Sequence, residues 1–190
     1  MRNRLVFAMT LSLCLLPTAL PAQEAKIDSS QRFLLLATKK TSTMQKELSQ
    51  AAAAGYRLLV GSPTSGVEMA LILEKAATPP DTYEYFLLAT TRTSTMQKEL
   101  NEAAARGFRL LPRTMISKEQ MFGDTEIVVV MEKAPGAAKR YQYLLLATTL
   151  TSTLQKEMTQ ALGQGYEVVG MVSRGEHMVI MEKPVEPAGQ

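Results

Sequence analysis

The chain has 190 residues, 46% of them hydrophobic, with 21 basic and 18 acidic side chains, one histidine, one cysteine and no tryptophan. The formal net charge of +3 gives no basic excess of the kind that neutralises a phosphate backbone, so nucleic acid is not expected as a partner. A single cysteine excludes an intrachain disulfide and a cysteine-built metal centre.

Arg2 and Arg4 precede an apolar run from Leu5 to Leu16, followed by Pro17 and a small-residue stretch ending at Ala22. That order is the order of a secretory signal peptide, and the run is shorter than the roughly 20 residues a membrane-spanning helix requires. Cleavage after Ala22 is therefore expected, with residues 1–22 as signal and residues 23–30 as an N-terminal linker. Cys14 follows Leu13 rather than a small residue, which argues against lipid attachment. The mature product would be near neutral, thiol-free and without a membrane span, exported to the periplasm or beyond the cell.

The segment starting at Phe33 recurs from Tyr85 and again from Tyr143, and over 27 positions the first two copies share 19 identities. Self-similarity at that level marks an internal repeat. The expected organisation is repeat 1 at residues 31–75, a linker at 76–82, repeat 2 at 83–133, a linker at 134–140, repeat 3 at 141–183 and a tail at 184–190. Each copy opens with a short apolar run (Phe33 to Thr38, Tyr85 to Thr90, Tyr143 to Thr148) whose length favours a buried strand. Next comes Thr-Ser-Thr-Met-Gln-Lys-Glu, with Leu in place of Met in the third copy. Ser42 with Gln45, Ser94 with Gln97 and Ser152 with Gln155 have the spacing of a capping box, so a helix should begin there.

Met44, Leu48, Ala51 and Ala52 then form one apolar helical stripe, repeated by Met96, Leu100, Ala103 and Ala104 and by Leu154, Met158, Ala161 and Leu162. Gly55, Gly107 and Gly165 stand where a left-handed residue ends a helix, each followed by an aromatic. Two extended runs complete each copy, and Glu74-Lys75, Glu132-Lys133 and Glu182-Lys183 close them. The reading is an α+β protein of three tandem β-α-β-β repeats.

The stretch Gly165-Tyr166-Glu167-Val168-Val169 resembles the post-helix strand of small bacterial β-α-β-β domains of unknown function. Arg57 and Arg109 stand where that pattern has an acid. The resemblance implies no activity and no site residues. A unit of this size buries too little surface to be stable alone, and one helix covers one face of a three-stranded sheet. The sheets are therefore expected to pack inward with the helices outside, or to be covered in a homo-oligomer.

The repeated Ala-Thr-x-x-Thr-Ser-Thr segment could hold an anion at a helix start, but helix capping already accounts for its Ser and Gln. Lys46 and Glu47 and their equivalents read as a solvated helix face. His177 is the one imidazole, and no nucleophile elbow is present. His177 and Met181, with Met171 on the preceding run, form the one constellation suited to copper(I), against a plainer reading of the methionines as core filler. No cofactor and no catalytic residue are expected. The expected function is an exported, non-enzymatic binding or interaction protein of unknown ligand, with a small-molecule enzyme holding a site between repeats and a copper-handling protein as the alternatives.

The copies differ most in the insertion Pro112 to Asp124 of the second. Apolar residues in a long loop need a reason beyond connection, so Met115, Ile116, Met121 and Phe122 are the expected partner contact, with a structural cover as the alternative.

Overall fold

The computed structural model describes residues 27–64, 67–76, 82–120 and 123–185. The expected signal segment, most of the first linker, and Met121 and Phe122 lie outside the described residues. The fold is α+β, with three helices and three antiparallel sheets.

The first segment runs β1 (Phe33–Thr38), α1 (Thr41–Ala53), β2 (Tyr56–Pro63) and β3 (Met69–Lys75), with sheet order β1-β3-β2. The second runs β4 (Glu84–Thr90), α2 (Thr93–Ala105), β5 (Arg109–Leu110), β6 (Ile116–Glu119) and β7 (Thr125–Lys133), in the order β4-β7-β5 with β6 also paired to β7. The third runs β8 (Arg140–Thr148), α3 (Thr151–Leu162), β9 (Glu167–Ser173) and β10 (His177–Val185), in the order β8-β10-β9.

Each helix follows a threonine whose hydroxyl turns the chain: Thr38, Thr90 and Thr148 accept the N–H of Lys40, Arg92 and Leu150 at 3.3, 3.1 and 3.1 Å. These last three residues are the N-caps, and none makes a side-chain cap bond. The expected capping boxes are therefore absent: the helices begin at Thr41, Thr93 and Thr151, which puts Ser42, Ser94 and Ser152 inside the first turn and not at the cap, and Gln45 and Gln97 are committed elsewhere, as described below. The glycines behave as read from sequence. Gly55, Gly107 and Gly165 have φ of 87°, 96° and 85°, and the N–H groups of Phe108 and Tyr166 return to the carbonyls of Ala103 and Ala161, as in a Schellman ending.

The packing differs from the expected outer shell of helices. Helix α1 packs on β1 and β2 of its own sheet and also on β4 of the next, and α2 packs on β4 and on β8. Both helices thus lie between consecutive sheets, while the contacts of α3 are with its own strands β8, β9 and β10. Stripe residues Met44, Leu48, Ala51 and Ala52 are buried, as are Met96, Leu100, Ala103 and Ala104, but in α3 the buried members are Leu154 and Ala161. One core joins the first sheet and α1 to Tyr85, Val128 and Val130 of the second. Another joins the second sheet and α2 to Tyr143, Leu145, Met178 and Ile180 of the third. The middle sheet is covered on both faces, which is why β7 is buried along nearly its whole length.

Pro112 has no N–H to give a strand ladder, yet the insertion leaves the sheet only briefly. A single 3₁₀ turn over Pro112–Thr114 interrupts the ladder, and β6 returns to β7 with Ile116 opposite Val128 and Glu119 opposite Thr125. Thr114, fully buried, fills the gap: its hydroxyl donates to the Leu111 carbonyl at 2.8 Å and accepts the Val130 N–H at 3.0 Å. Lys118 and Glu126 pair across the same ladder at 2.8 Å, both buried.

Candidate functional site

Among the described residues, two kinds of side-chain contact between consecutive sheets occur twice. The first is a buried tyrosine on the leading strand of the following sheet. The Tyr85 hydroxyl accepts the Leu58 N–H at 2.8 Å and donates to Glu132 at 3.0 Å. The Tyr143 hydroxyl accepts the Leu110 N–H at 2.8 Å and donates to Glu182 at 3.1 Å. Each carboxylate also receives an arginine of the preceding segment, Arg57 on Glu132 and Arg109 on Glu182. The guanidinium groups lie over the rings of Tyr83 and Tyr141 at 4.5 and 4.4 Å.

Burial is uneven within these clusters and sets their electrostatics. The glutamates are buried and the arginines about half-exposed, so each carboxylate is desolvated yet holds an arginine and a hydroxyl, which keeps its charge compensated. Hydrogen bonding to the glutamates raises the pKa of Arg57 and Arg109 above the ordinary value. Burial raises both tyrosine hydroxyls well above theirs.

The second contact is an amide clamp on a strand edge. Strands β4 and β8 are edge strands, which expose unpaired backbone groups unless something covers them. The Gln45 side chain accepts the Leu87 N–H at 2.7 Å and donates to the Tyr85 carbonyl at 2.9 Å. Gln97 accepts the Leu145 N–H at 2.9 Å, and the Asn101 amide bonds both the N–H and the carbonyl of Tyr143, at 2.8 and 2.9 Å. The helix thus supplies the partners that another strand would have supplied.

Between the segments lies a cleft of about 470 Å³, lined by Arg57 from the first, Arg109, Leu111 and Pro112 from the second, and Tyr141 and Glu182 from the third. Its charged groups are the inter-sheet pairs and the exposed Lys139. Glu132 and Glu182 are already held by arginine and tyrosine, so these pairs serve the joint before any ligand.

Of the expected partner contacts, Ile116 is fully buried in the first core, and Met115 packs with the second core against Gly170, where a Cβ would come within 2.6 Å of the Met115 sulfur. The insertion wedges between β2 and β9, with Ile116 against Gly61 on one side and Met115 against Gly170 on the other. Met121 and Phe122 lie outside the described residues. The copper constellation is spread along a strand: His177 and Met181 are four residues apart on β10, roughly 13 Å at strand rise, too far to share one ion. Met181 is buried in the third core and Met171 is exposed.

The residues that join the sheets carry no local signal of that role in the sequence. The closing Glu-Lys pairs and the Arg57/Arg109 departures were visible separately, but nothing in the spacing places Arg57 on Glu132, 75 positions away. In sequence, the glutamines carry only the local signal of a capping box, Ser-x-x-Gln. Among the described residues, the faces that remain open are those with no neighbouring segment. On the first sheet these are Phe33, Leu35 and Ile72, and at the other end Leu162, Val168 and Met171, all exposed. Comparison with protein-family models, with curated proteins and with solved structures gives no match.

Proposed function

We propose that this is an exported, non-enzymatic interaction protein that binds macromolecules through the two ends of its series of sheets. The observation that carries the reading is the pair of apolar faces at those ends, Phe33, Leu35 and Ile72 at one and Leu162 and Val168 at the other. Contiguous exposed apolar residues of this kind mark interaction surfaces. Support for export comes from the order Arg2, Arg4, the run from Leu5 to Leu16, and Ala22. The three segments are best understood as tandem copies of one unit, on the strength of their sequence identities and their matching strand orders.

A test is in-cell photo-crosslinking from an exporting bacterium, with a photoreactive residue at Leu35, at Leu162, or at the exposed Lys98 on the middle helix. Defined adducts at Leu35 and Leu162 but not at Lys98 are expected; no adduct at either end would defeat the reading.

A second reading is a small-molecule site in the cleft between segments, favoured by the two half-exposed guanidinium groups of Arg57 and Arg109 there. It requires an anion to compete with Glu132 and Glu182. Calorimetric titration with small carboxylates and phosphates distinguishes it, since saturable binding lost in Arg109→Ala would support a ligand site.

A further inference from the structure

The two open ends are the two halves of a contact that the chain already makes twice. Sequence alignment sets Phe33 against Tyr85 and Tyr143, Leu35 against Leu87 and Leu145, and Ile72 against Val130 and Ile180. Leu35 is 65% exposed where Leu145 is 7%, and Ile72 is 41% exposed where Val130 and Ile180 are fully buried. At the other end, Val168 aligns with Leu58 and Leu110, and is 57% exposed where they are 4% and 2%. Leu162 stands exposed where Ala52 and Ala104 are buried. In each case the buried counterpart is covered by the adjoining segment.

The polar clamp is split in the same way. Gln155 is the counterpart of Gln45 and Gln97; it is exposed, and among the described residues nothing is bonded to its amide. Its natural target is the edge of β1. There the Arg32 carbonyl accepts the Lys75 N–H, so the even-numbered residues face β3 and the backbone groups of Phe33 and Leu35 point away from the sheet. No described side chain is bonded to them. This is the backbone pair that Gln45 holds on β4.

We propose that copies of this chain associate head to tail, with α3 and the open strip of the third sheet of one copy seated on the outer face of the first sheet of the next. Gln155 then bonds the Phe33 carbonyl and the Leu35 N–H. The inference rests on the interaction reading above and names its partner as a second copy. The contact is heterologous, so it extends beyond a dimer unless its rotation closes a ring.

One substitution sets its strength. Arg57 and Arg109, which bind Glu132 and Glu182 at the internal joints, correspond to Glu167 at the open end, and the facing carboxylate is Glu74. Arg32 binds Glu74 at 2.8 Å with a largely exposed side chain, so one guanidinium must serve two carboxylates. Phe33 also lacks the hydroxyl of Tyr85 and Tyr143. The intermolecular joint is a weakened version of the internal ones, which makes the assembly reversible.

Sedimentation velocity of the protein purified from an exporting host, over a wide concentration range, tests this. The average mass is expected to rise with concentration past that of a dimer, and Leu35→Glu or Leu162→Glu each to abolish the rise. A mixture of these two variants retains one good head and one good tail, so it should form a complex of one copy of each and nothing larger. Glu167→Arg should tighten association about tenfold or more, as a like-charge contact becomes an ion pair. Both glutamate substitutions are at exposed sites, and near-ultraviolet circular dichroism checks that the fold is kept; Gln155→Ala supplies a milder break of the same joint.

A wild-type protein that stays monomeric and does not respond to Glu167→Arg would overturn the proposal, as would covering of the Leu35 face by the chain's own terminal residues. Association unaffected by Leu35→Glu would do the same. If monomeric protein still gives crosslinked adducts with other proteins at Leu35 in cells, the self-assembly inference falls while the interaction reading stands.

Discussion

Replacing Tyr143 by phenylalanine removes one oxygen from a site that is 2% exposed. The ring stays and keeps its packing, so the loss is polar. The hydroxyl accepts the Leu110 N–H at 2.8 Å and donates to Glu182 at 3.1 Å. Deleting it leaves the buried N–H without that acceptor, a penalty of about 1–3 kcal/mol, and removes a bond to a charged group worth about 1.5–3 kcal/mol. Because Arg109 continues to hold Glu182 at the other oxygen, the two costs do not add in full, and a net loss of about 2–4 kcal/mol is expected. Urea unfolding followed by circular dichroism measures it, with an unchanged m-value as evidence that the folded and unfolded states are otherwise alike. Tyr141→Phe is the control: its ring lies under Arg109 with no described hydrogen bond from its hydroxyl, so the change should stay within about 0.5 kcal/mol. A loss below about 0.5 kcal/mol for Tyr143→Phe would refute the argument that the hydroxyl links the sheets, since no unsatisfied buried group would then have been created.

The same tyrosines predict an alkaline limit. Burial raises both hydroxyls above the ordinary 10.0, so the unfolded chain loses those protons first, and the stability they confer is present below pH 10 and declines above it. The slope should be about 1.4 kcal/mol per pH unit for each tyrosine, and a Tyr85→Phe/Tyr143→Phe variant should lack that part of the decline in urea titrations. Asn101→Ala removes two bonds to the edge of β8 and should cost about 1–2 kcal/mol, with faster amide exchange at Tyr143 read by NMR. Ile116→Ala should destabilise by about 2–5 kcal/mol through a core cavity in thermal or urea unfolding; unchanged stability would return the insertion to the role of a free binding loop. Glu126→Ala leaves Lys118 buried and unpaired and should cost about 3–5 kcal/mol, whereas a Lys118→Met/Glu126→Leu double variant should be close to neutral.

The elements were legible from local chemistry. The helical stripes, the left-handed glycines and the length of the first apolar runs depend on neighbours a few positions away, and α1, α2 and α3 begin and end where those signals stand. What was not legible depends on contacts across segments. Ser42 and Gln45 look identical in sequence whether the glutamine caps its own helix or clamps another strand, and the second outcome wins because Leu87 and Tyr85 present an otherwise open edge. Likewise, Met115 and Ile116 read as loop residues because Pro112 breaks the ladder. Yet Thr114 bridges the break and β6 rejoins the sheet, turning the apolar residues inward. The open ends were invisible for the converse reason: Leu35 and Leu145 are the same residue at the same place in the repeat, and only the neighbour differs.

Amide hydrogen exchange at Leu35, Leu87 and Leu145, resolved residue by residue, tests the central claim most directly, because these three backbone N–H groups are equivalent in sequence and differ in whether a helix amide holds them. In dilute protein, Leu87 and Leu145 should be protected by Gln45 and Gln97 while Leu35 exchanges fast, and Leu35 alone should gain protection as the concentration rises. Equal exchange at all three, or protection of Leu35 that does not depend on concentration, would contradict the account.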